Sequence, residues 1–171
     1  MEQLPERIVL IGFPCSGKSS LGPKLADYLN YKWLDTDAAI EAESGLSIAD
    51  IFALYGEAGF RERESKWVSS QLPDLKQVVV SSGGGLPCFN HLMAKLNAEA
   101  YTIYLQAEFE PLYQRLLSRP NHTLLKLPLD SLETLFNQRI LIYQGAHFSL
   151  DASPSLEHVL ENLQRHFRLK I

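Results

Sequence analysis

The amino-acid sequence predicts a doubly wound α/β fold, a three-layer sandwich in which helices cover both faces of one sheet. Two observations carry this prediction: short apolar or β-branched runs recur along the chain, and segments with helical periodicity separate them. Most of the runs are continuous rather than alternating, which is typical of strands buried on both faces of a parallel sheet. The predicted strands are 7–12, 31–35, 77–82, 101–106 and 147–151.

Between these runs, apolar residues recur three or four positions apart, which predicts amphipathic helices. Leu21, Leu25 and Leu29 form one such face after the first strand, and Ile40 and Ile51 belong to the next two helices. The same spacing marks the later helices through Leu92 and Leu96, Leu112 and Leu116, Leu132 and Phe136, and Leu156, Val159 and Leu163.

Length and composition bound the class of protein. The 171 residues predict a single domain, 1–171, and the net charge of −4 argues against nucleic acid as a partner. No apolar run approaches the roughly 20 residues that span a bilayer, and the first residues lack the pattern of a signal peptide. We therefore expect a cytoplasmic protein that does not bind membranes. We also expect a monomer, with Cys15 and Cys88 as reduced thiols.

A glycine-bounded loop follows the first predicted strand and precedes the first predicted helix. Residues 12–19, GFPCSGKS, match the phosphate-loop pattern G-x-x-x-x-G-K-[ST] in the strand and helix context that it requires. Backbone N–H groups and the helix N-terminus would hold phosphates there, Lys18 would add a point charge, and Ser19 could ligate Mg²⁺. The alternative is a tight turn with a chance lysine. The predicted ATP-binding residues of the loop are Gly12, Pro14, Cys15, Ser16, Gly17, Lys18, Ser19 and Ser20.

Two carboxylates lie where the second strand ends. Asp35 and Asp37 stand at a carboxyl end of the predicted sheet, where ligands of open α/β folds collect. One could reach the Mg²⁺ shell, and the other could accept the proton of a substrate hydroxyl. The alternative is that Asp35 or Thr36 merely caps the following helix.

Arginines and glycines provide further candidates. Arg61 and Glu64 are three residues apart in a helical segment and could pair, which would orient the guanidinium for a carboxylate; a solvated charged face is the alternative. Arg139 lies among apolar residues of a later helix and requires an acidic partner or an anionic ligand. The glycines at 83–85 follow the third strand directly, which indicates either close approach to a ligand or a plain turn.

The segment 119–130 is bracketed by prolines and predicts a long loop. Loops of this length inside a compact domain are usually functional, often as a lid. Arg119 opens the segment and could move over a transferred phosphate when the lid closes, although a surface arginine is the alternative.

Taken together, these motifs resemble those of shikimate kinase, a P-loop phosphotransferase of the nucleoside monophosphate kinase type. The similarity covers GFPCSGKSS, LDTDAAIE, SIADIFALYGEAGFRERE, VVVSSGGG, the Arg-Pro at 119–120 and the R-x-x-x-Y of 139–143, in the family's order over residues 7–150. The resemblance implies a P-loop NTPase-type fold with a five-stranded parallel sheet in the order 2-3-1-4-5. It also implies a short lid near 116–130, substrate-binding helices near 36–65, and transfer of phosphate from ATP to the 3-hydroxyl of shikimate.

The resemblance also implies roles for individual residues. Lys18 would act in catalysis and, with Ser19, hold the ATP phosphates and Mg²⁺, with Asp35 at the metal and Asp37 as the base toward the 3-hydroxyl. Arg119 would be the catalytic lid arginine. The implied substrate-binding residues are Asp37, Phe52, Phe60, Arg61, Gly83, Gly84, Gly85 and Arg139, and the implied nucleotide contacts beyond the loop are Arg115, Arg119 and Pro154.

The sequence departs from the family at the lid, where Arg-Pro-Leu-Leu is usual and the chain has Arg119-Pro120-Asn121-His122. After Arg139 the usual Pro-Leu-Tyr-x-Glu reads Leu-Ile-Tyr-Gln-Gly. Two alternatives to shikimate phosphorylation stay open. One is a related hydroxy-acid kinase similar to gluconate kinase, and the other is a binding module of the same fold with impaired turnover.

Overall fold

The computed structural model describes residues 4–167, and its centre is a parallel sheet of five strands in the order β2-β3-β1-β4-β5. The predicted α/β fold and strand order are confirmed. The strands are β1 (Arg7–Ile11), β2 (Lys32–Asp35), β3 (Val78–Ser81), β4 (Tyr101–Gln106) and β5 (Phe148–Asp151). The helices are α1 (Lys18–Leu29), α2 (Thr36–Ser44), α3 (Ile48–Ser70), α4 (Leu92–Glu99), α5 (Phe109–Leu117), α6 (Leu129–Tyr143) and α7 (Leu156–His166).

The apolar core lies on both faces of the sheet. Successive strand side chains point to opposite faces, so Val9 and Ile11 of β1 pack into one cluster while Ile8 and Leu10 pack into the other. All four are fully buried. Burial on both faces explains why the strand sequences are continuous apolar runs.

The phosphate-loop segment lies at the point where the strand order reverses. β1 pairs with β3 on one side and with β4 on the other, so the chain leaves β1 at a topological switch point. Crevices at the carboxyl ends of strands at such a point are where open α/β sheets bind ligands. The β1–α1 loop, the β2–α2 junction and the glycine run after β3 all emerge at this edge.

Helices α2 and α3 form the segment for which the resemblance implied substrate binding. They cover the predicted range near 36–65, and α3 continues beyond it to Ser70. Gly56 interrupts α3 with φ of 66° and ψ of −174°, a conformation that glycine adopts without steric strain. The kink separates the first turns of α3 from the part that carries Arg61 and Glu64.

The predicted loop of 119–130 contains more regular structure than expected. A 3₁₀ helix, Thr123–Lys126, lies inside it, and α6 begins at Leu129, so residues 129 and 130 are helical. The broader lid range of 116–130 likewise overlaps the end of α5 at Leu117. Between residues 4 and 167, no helix is both long and apolar enough to cross a membrane.

Candidate active site

The loop between β1 and α1 has the backbone of a phosphate cradle. Gly12 has φ of 148° and Gly17 has φ of 100°, which glycine tolerates and other residues rarely adopt. A Cβ at Gly12 would lie 2.9 Å from the carbonyl oxygen of Leu105, so the loop packs closely on the end of β4. Gly17 directly precedes α1, which places the positive end of the helix dipole at the loop.

Lys18 lies at the start of α1 and folds back over this loop. Its Nζ donates to the carbonyl oxygens of Gly12 at 2.8 Å and Phe13 at 2.9 Å, and to Ser16 Oγ at 3.3 Å. Burial lowers the pKa of Lys18 to about 8, and the nearby carboxylates of Asp37 and Asp35 oppose that shift. The ammonium is thus held by backbone carbonyls within reach of any phosphate in the loop.

Asp35 caps α2, as the alternative interpretation proposed. Its Oδ1 accepts from the N–H groups of Asp37 at 3.0 Å and Ala38 at 3.3 Å. Thr36 does not cap the helix; its Oγ1 accepts from the N–H of Gly83 at 2.9 Å and ties α2 to the glycine run. Capping by one oxygen of Asp35 does not exclude a metal role, because its second carboxylate oxygen is not used by the cap.

Asp37 carries a buried carboxylate oxygen. Among residues 4–167, no hydrogen-bond donor reaches its Oδ1. Burial, followed by the charge of Asp35, raises the pKa of Asp37 to about 6, while Lys18 and Arg61 oppose the rise. Gly83 packs against this carboxylate, since a Cβ there would lie 2.7 Å from Oδ1. An unpartnered acceptor in such a place is suited to a hydroxyl group of a ligand.

Arg61 is held between two glutamates of α3. Its Nη1 donates to Glu64 Oε2 at 2.6 Å, and Nη2 lies 3.1 Å from Glu57 Oε1. Glu64 is fully buried, which raises the pKa of its carboxyl to about 7 despite the arginine. The guanidinium also lies 4.0 Å from the ring centroid of Phe89, and a Cβ on Gly85 would lie 2.7 Å from its Nη2. The pairing predicted from the spacing of Arg61 and Glu64 is therefore present.

Arg139 of α6 is 7% exposed and lies 5.8 Å from the ring centroid of Phe13. No ion pair within residues 4–167 satisfies its charge. One turn further along α6, the hydroxyl of Tyr143 donates to the carbonyl oxygen of Gly84 at 2.5 Å. The helix thus anchors the glycine run and presents a buried cation that has no acidic partner among the residues that the structure describes.

A cleft of about 290 Å³ lies between the phosphate loop, α2, α3, the glycine run and α6. It brings together the predicted residues Pro14, Asp37, Phe52, Phe60, Arg61, Gly83, Gly84, Gly85 and Arg139. Phe52 and Phe60 form one wall, with ring centroids 5.0 Å apart. All eight residues predicted to bind the acceptor therefore line a single cavity.

The cleft also contains residues that the sequence did not single out. Its lining includes Ile48, Glu64 and four residues of the predicted lid, Asn121, His122, Thr123 and Leu124. Ile48 begins α3 and is an apolar residue of the same helical segment as Ile51, and Glu64 was considered only as a partner of Arg61. The lid residues lie in the loop identified from its prolines, but their contact with the cleft depends on how that loop folds back.

The three nucleotide contacts that were predicted beyond the phosphate loop lie outside the cleft. Arg115 donates from Nη1 to the carbonyl oxygen of Cys15 at 3.2 Å, so it touches the phosphate loop. Arg119 is exposed, and within residues 4–167 its side chain makes neither a hydrogen bond nor an ion pair. Pro154 is exposed in the turn after β5. The roles of Arg115, Arg119 and Pro154 stay predictions.

Two oxygen ligands for a divalent cation are available near the loop, Ser19 in the first turn of α1 and Asp35 at the end of β2. In the part of the chain that the structure describes, no group of three or more His, Cys, Asp or Glu residues could hold a metal ion. Mg²⁺ commonly binds one or two protein oxygens and completes its shell with water and substrate phosphates. The donor set therefore fits a cation that arrives with a nucleotide.

The position of the phosphate loop next to the cleft indicates the class of protein. Pro14 belongs to the phosphate loop and also lines the cleft, so a phosphate in the loop would face a ligand in the cleft. A P-loop at the switch point of a 2-3-1-4-5 sheet, opening onto a pocket for a second substrate, is the arrangement of a P-loop phosphotransferase.

Comparisons with known proteins identify the family within that class. The family model described as shikimate kinase matches residues 14–167. A shikimate kinase of Clostridium botulinum (strain Loch Maree / Type A3) is 40% identical over 145 residues, 83% of this chain and 85% of the relative. One of Aquifex aeolicus (strain VF5) is 36% identical over 157 residues, 92% and 93% of the two chains.

A solved structure, shikimate kinase from Acinetobacter baumannii in complex with shikimate, superposes with a TM-score of 0.87 at 30% identity. The match covers 99% of this chain and 97% of that one. The chain therefore belongs to the shikimate kinase family, which confirms the resemblance read from its motifs.

Proposed function

We propose that the protein transfers the γ-phosphoryl group of ATP to the 3-hydroxyl of shikimate, giving shikimate 3-phosphate and ADP. The observation that carries the proposal is the cleft beside the phosphate loop. Arg61, Arg139 and a carboxylate oxygen of Asp37 that has no donor within residues 4–167 face this one cavity. Two cations suit a carboxylate, and an unpartnered acceptor suits a hydroxyl. Shikimate carries both groups on one small ring.

The nucleotide would bind at the loop. Backbone N–H groups and the N-terminus of α1 would hold the phosphates, and Lys18 would exchange its carbonyl partners for phosphate oxygens. Mg²⁺ is the proposed metal, bound by Ser19 and Asp35, and when present it would neutralise charge on the phosphates. Catalysis then consists mainly of positioning and charge stabilisation.

Asp37 is the proposed general base. Its pKa of about 6 keeps the carboxylate largely ionised at neutral pH, yet close enough to that pH for efficient proton transfer. Its buried Oδ1 faces Gly83, where the absence of a side chain leaves space for the acceptor ring. The proton of the acceptor hydroxyl would pass to this oxygen as the phosphoryl group transfers.

Arg61 and Arg139 are the proposed carboxylate clamp. Arg61 is oriented by Glu64, and Arg139 is buried without an acidic partner among the described residues, so an anionic ligand would satisfy its charge. Phe52 and Phe60 would pack against the apolar face of the ring. The clamp suits any small hydroxy acid, so a gluconate kinase-like activity is the second candidate.

The test is ADP release by the purified protein with Mg-ATP and a panel of hydroxy acids that includes shikimate, quinate and gluconate. Shikimate-dependent ADP release supports the proposal. Turnover with gluconate alone supports the second candidate, and binding of shikimate without turnover indicates a binding module. Lys18→Met, which lacks the loop charge, serves as the blank for contaminating kinases. Cytoplasmic location and a monomeric state remain predictions from the sequence.

A further inference from the structure

The lid side of the acceptor cleft is polar, and one of its residues has the geometry of a fixed hydrogen-bond donor. Asn121, His122 and Thr123 line the cleft together with Leu124 and with residues of the glycine run and α3. His122 directly precedes the 3₁₀ helix Thr123–Lys126. Two roles are open to its imidazole, stabilising the lid and contacting the bound ligand.

One ring nitrogen of His122 is already used. Its Nδ1 accepts from the backbone N–H of Leu124 at 3.2 Å and caps the 3₁₀ helix. A ring nitrogen that accepts carries no proton, so the neutral imidazole has its proton on Nε2. The cap therefore selects the tautomer and leaves Nε2–H as a donor at the far end of the ring.

The surroundings keep this ring neutral. Burial, followed by the charges of Arg119 and Arg139, lowers the pKa of His122. Protonation would also remove the acceptor that caps the 3₁₀ helix. His122 therefore differs in kind from the two arginines of the clamp, because it offers a directional donor without adding a third positive charge.

We propose that His122 is a specificity-determining residue of the acceptor site, where its Nε2–H donates to an oxygen atom of the bound acceptor. The inference rests on the proposed function, which it deepens by adding a lid contact to the clamp of Arg61 and Arg139. The acceptor is the partner rather than the nucleotide, because the cleft that His122 lines contains Asp37 and both arginines but not Lys18 or Ser19. A directional donor of this kind discriminates against ligands that lack the matching oxygen.

Two substitutions separate the capping role of His122 Nδ1 from the donor role of its Nε2–H. Asparagine at 122 keeps a side-chain acceptor at the cap position but is too short to reach where Nε2 lies. Glutamine at 122 places an amide N–H near the position of Nε2 but is a poor cap. His122→Ala removes both functions and is the reference for complete loss.

The readouts are KM and kcat for shikimate, KM for ATP, and the Kd of shikimate by calorimetry. We expect His122→Asn and His122→Ala to raise the KM and Kd of shikimate about three- to tenfold, the range of one neutral hydrogen bond. We expect His122→Gln to stay within about twofold of the wild type, and KM for ATP to change by less than about twofold in all three variants.

The opposite ranking would overturn the proposal. If His122→Asn behaves as the wild type while His122→Gln and His122→Ala lose shikimate affinity, His122 acts only as a cap. An equal rise in KM for ATP would also contradict it. If the proposed function is wrong, the wild type will show no shikimate-dependent turnover. The Kd values of shikimate measured by calorimetry still decide the role of His122 in that case.

Discussion

Arg61 forms an ion pair with the buried Glu64 across one turn of α3, with 2.6 Å between Arg61 Nη1 and Glu64 Oε2. The second partner of the same guanidinium, Glu57, is mostly exposed. One arginine therefore has a buried anchor and a solvated one. Glu64, the buried partner, fixes how the guanidinium faces the acceptor cleft. Glu57 contributes little to this orientation, because exposed ion pairs are screened by water.

This difference predicts unequal effects of two matched substitutions. Glu64→Gln removes the buried charge that orients Arg61 and should raise the KM of shikimate about tenfold, in the range of a charge-assisted hydrogen bond. Glu57→Gln is the control and should change that KM by less than about twofold. Steady-state kinetics with varied shikimate check both values. Equal effects of the two variants would show that Glu64 does not orient the clamp.

Asp37→Asn should abolish most turnover, because asparagine cannot accept the proton of the acceptor hydroxyl. We expect kcat to fall by roughly 10²- to 10⁴-fold, the usual contribution of a general base. The Kd of ATP, measured by calorimetry, should change by less than about twofold. A kcat near that of the wild type would remove Asp37 as the base.

Asp37→Asn should also stabilise the folded protein above pH 6. The folded pKa of Asp37 is raised to about 6 from 3.8, so folding disfavours the ionised carboxylate, and stability is lost as pH rises from 3.8 to 6. At pH 8, Asp37→Asn should increase the free energy of unfolding by about 1 to 3 kcal/mol. The upper figure is the whole difference between the folded and unfolded pKa values, converted at about 1.4 kcal/mol for each pKa unit. Urea unfolding at pH 8 measures this. The exposed Asp27→Asn in α1 is the control, and an equal gain there would contradict the explanation.

The pH dependence of catalysis should show the shifted pKa values of Asp37 and Lys18. With ATP saturating, kcat/KM for shikimate should fall below about pH 6 as Asp37 is protonated. The value of kcat/KM for ATP should fall above about pH 8 as Lys18 loses its proton. Lys18→Arg keeps the positive charge at high pH, so if it is active its alkaline decline should be absent. An alkaline decline unchanged in that variant would assign it to another group.

Two glycine substitutions should damage different steps. Gly83→Ala places a methyl group 2.7 Å from Asp37 Oδ1 and should lower kcat, whereas Gly85→Ala places one 2.7 Å from Arg61 Nη2 and should mainly raise the KM of shikimate. Gly45→Ala is the control for general instability. It has φ of 68° and no neighbour within 4 Å, so it strains the α2–α3 turn without touching the cleft. The same kinetic change in all three variants would contradict the assignment.

The sequence predicted the features that follow from local patterns. Continuous apolar runs identified the strands, and the loop motif with its flanks identified the phosphate cradle. The spacing of Arg61 and Glu64 predicted their pairing because residues three apart share one face of a helix. The kink at Gly56 was missed, since a glycine in a helical pattern does not reveal whether the helix bends there.

Features that depend on packing between distant segments could not be predicted. Thr36 appeared to be a possible helix cap, yet its hydroxyl binds the backbone of Gly83, 47 positions away. The cap and metal interpretations of Asp35 were weighed against each other, but one carboxylate has oxygens for both. His122 reaches the acceptor cleft because the lid folds back over it, which no local pattern encodes.

Identification of the product tests the central claim most directly. The purified protein is incubated with Mg-ATP and shikimate, and the product is analysed by mass spectrometry and by ³¹P–¹H correlation. The account predicts one phosphate added to shikimate, coupled to the proton on C3, with one ADP formed for each product molecule. Phosphorylation at another hydroxyl, or no phosphorylated shikimate at all from folded protein that binds ATP, would contradict it.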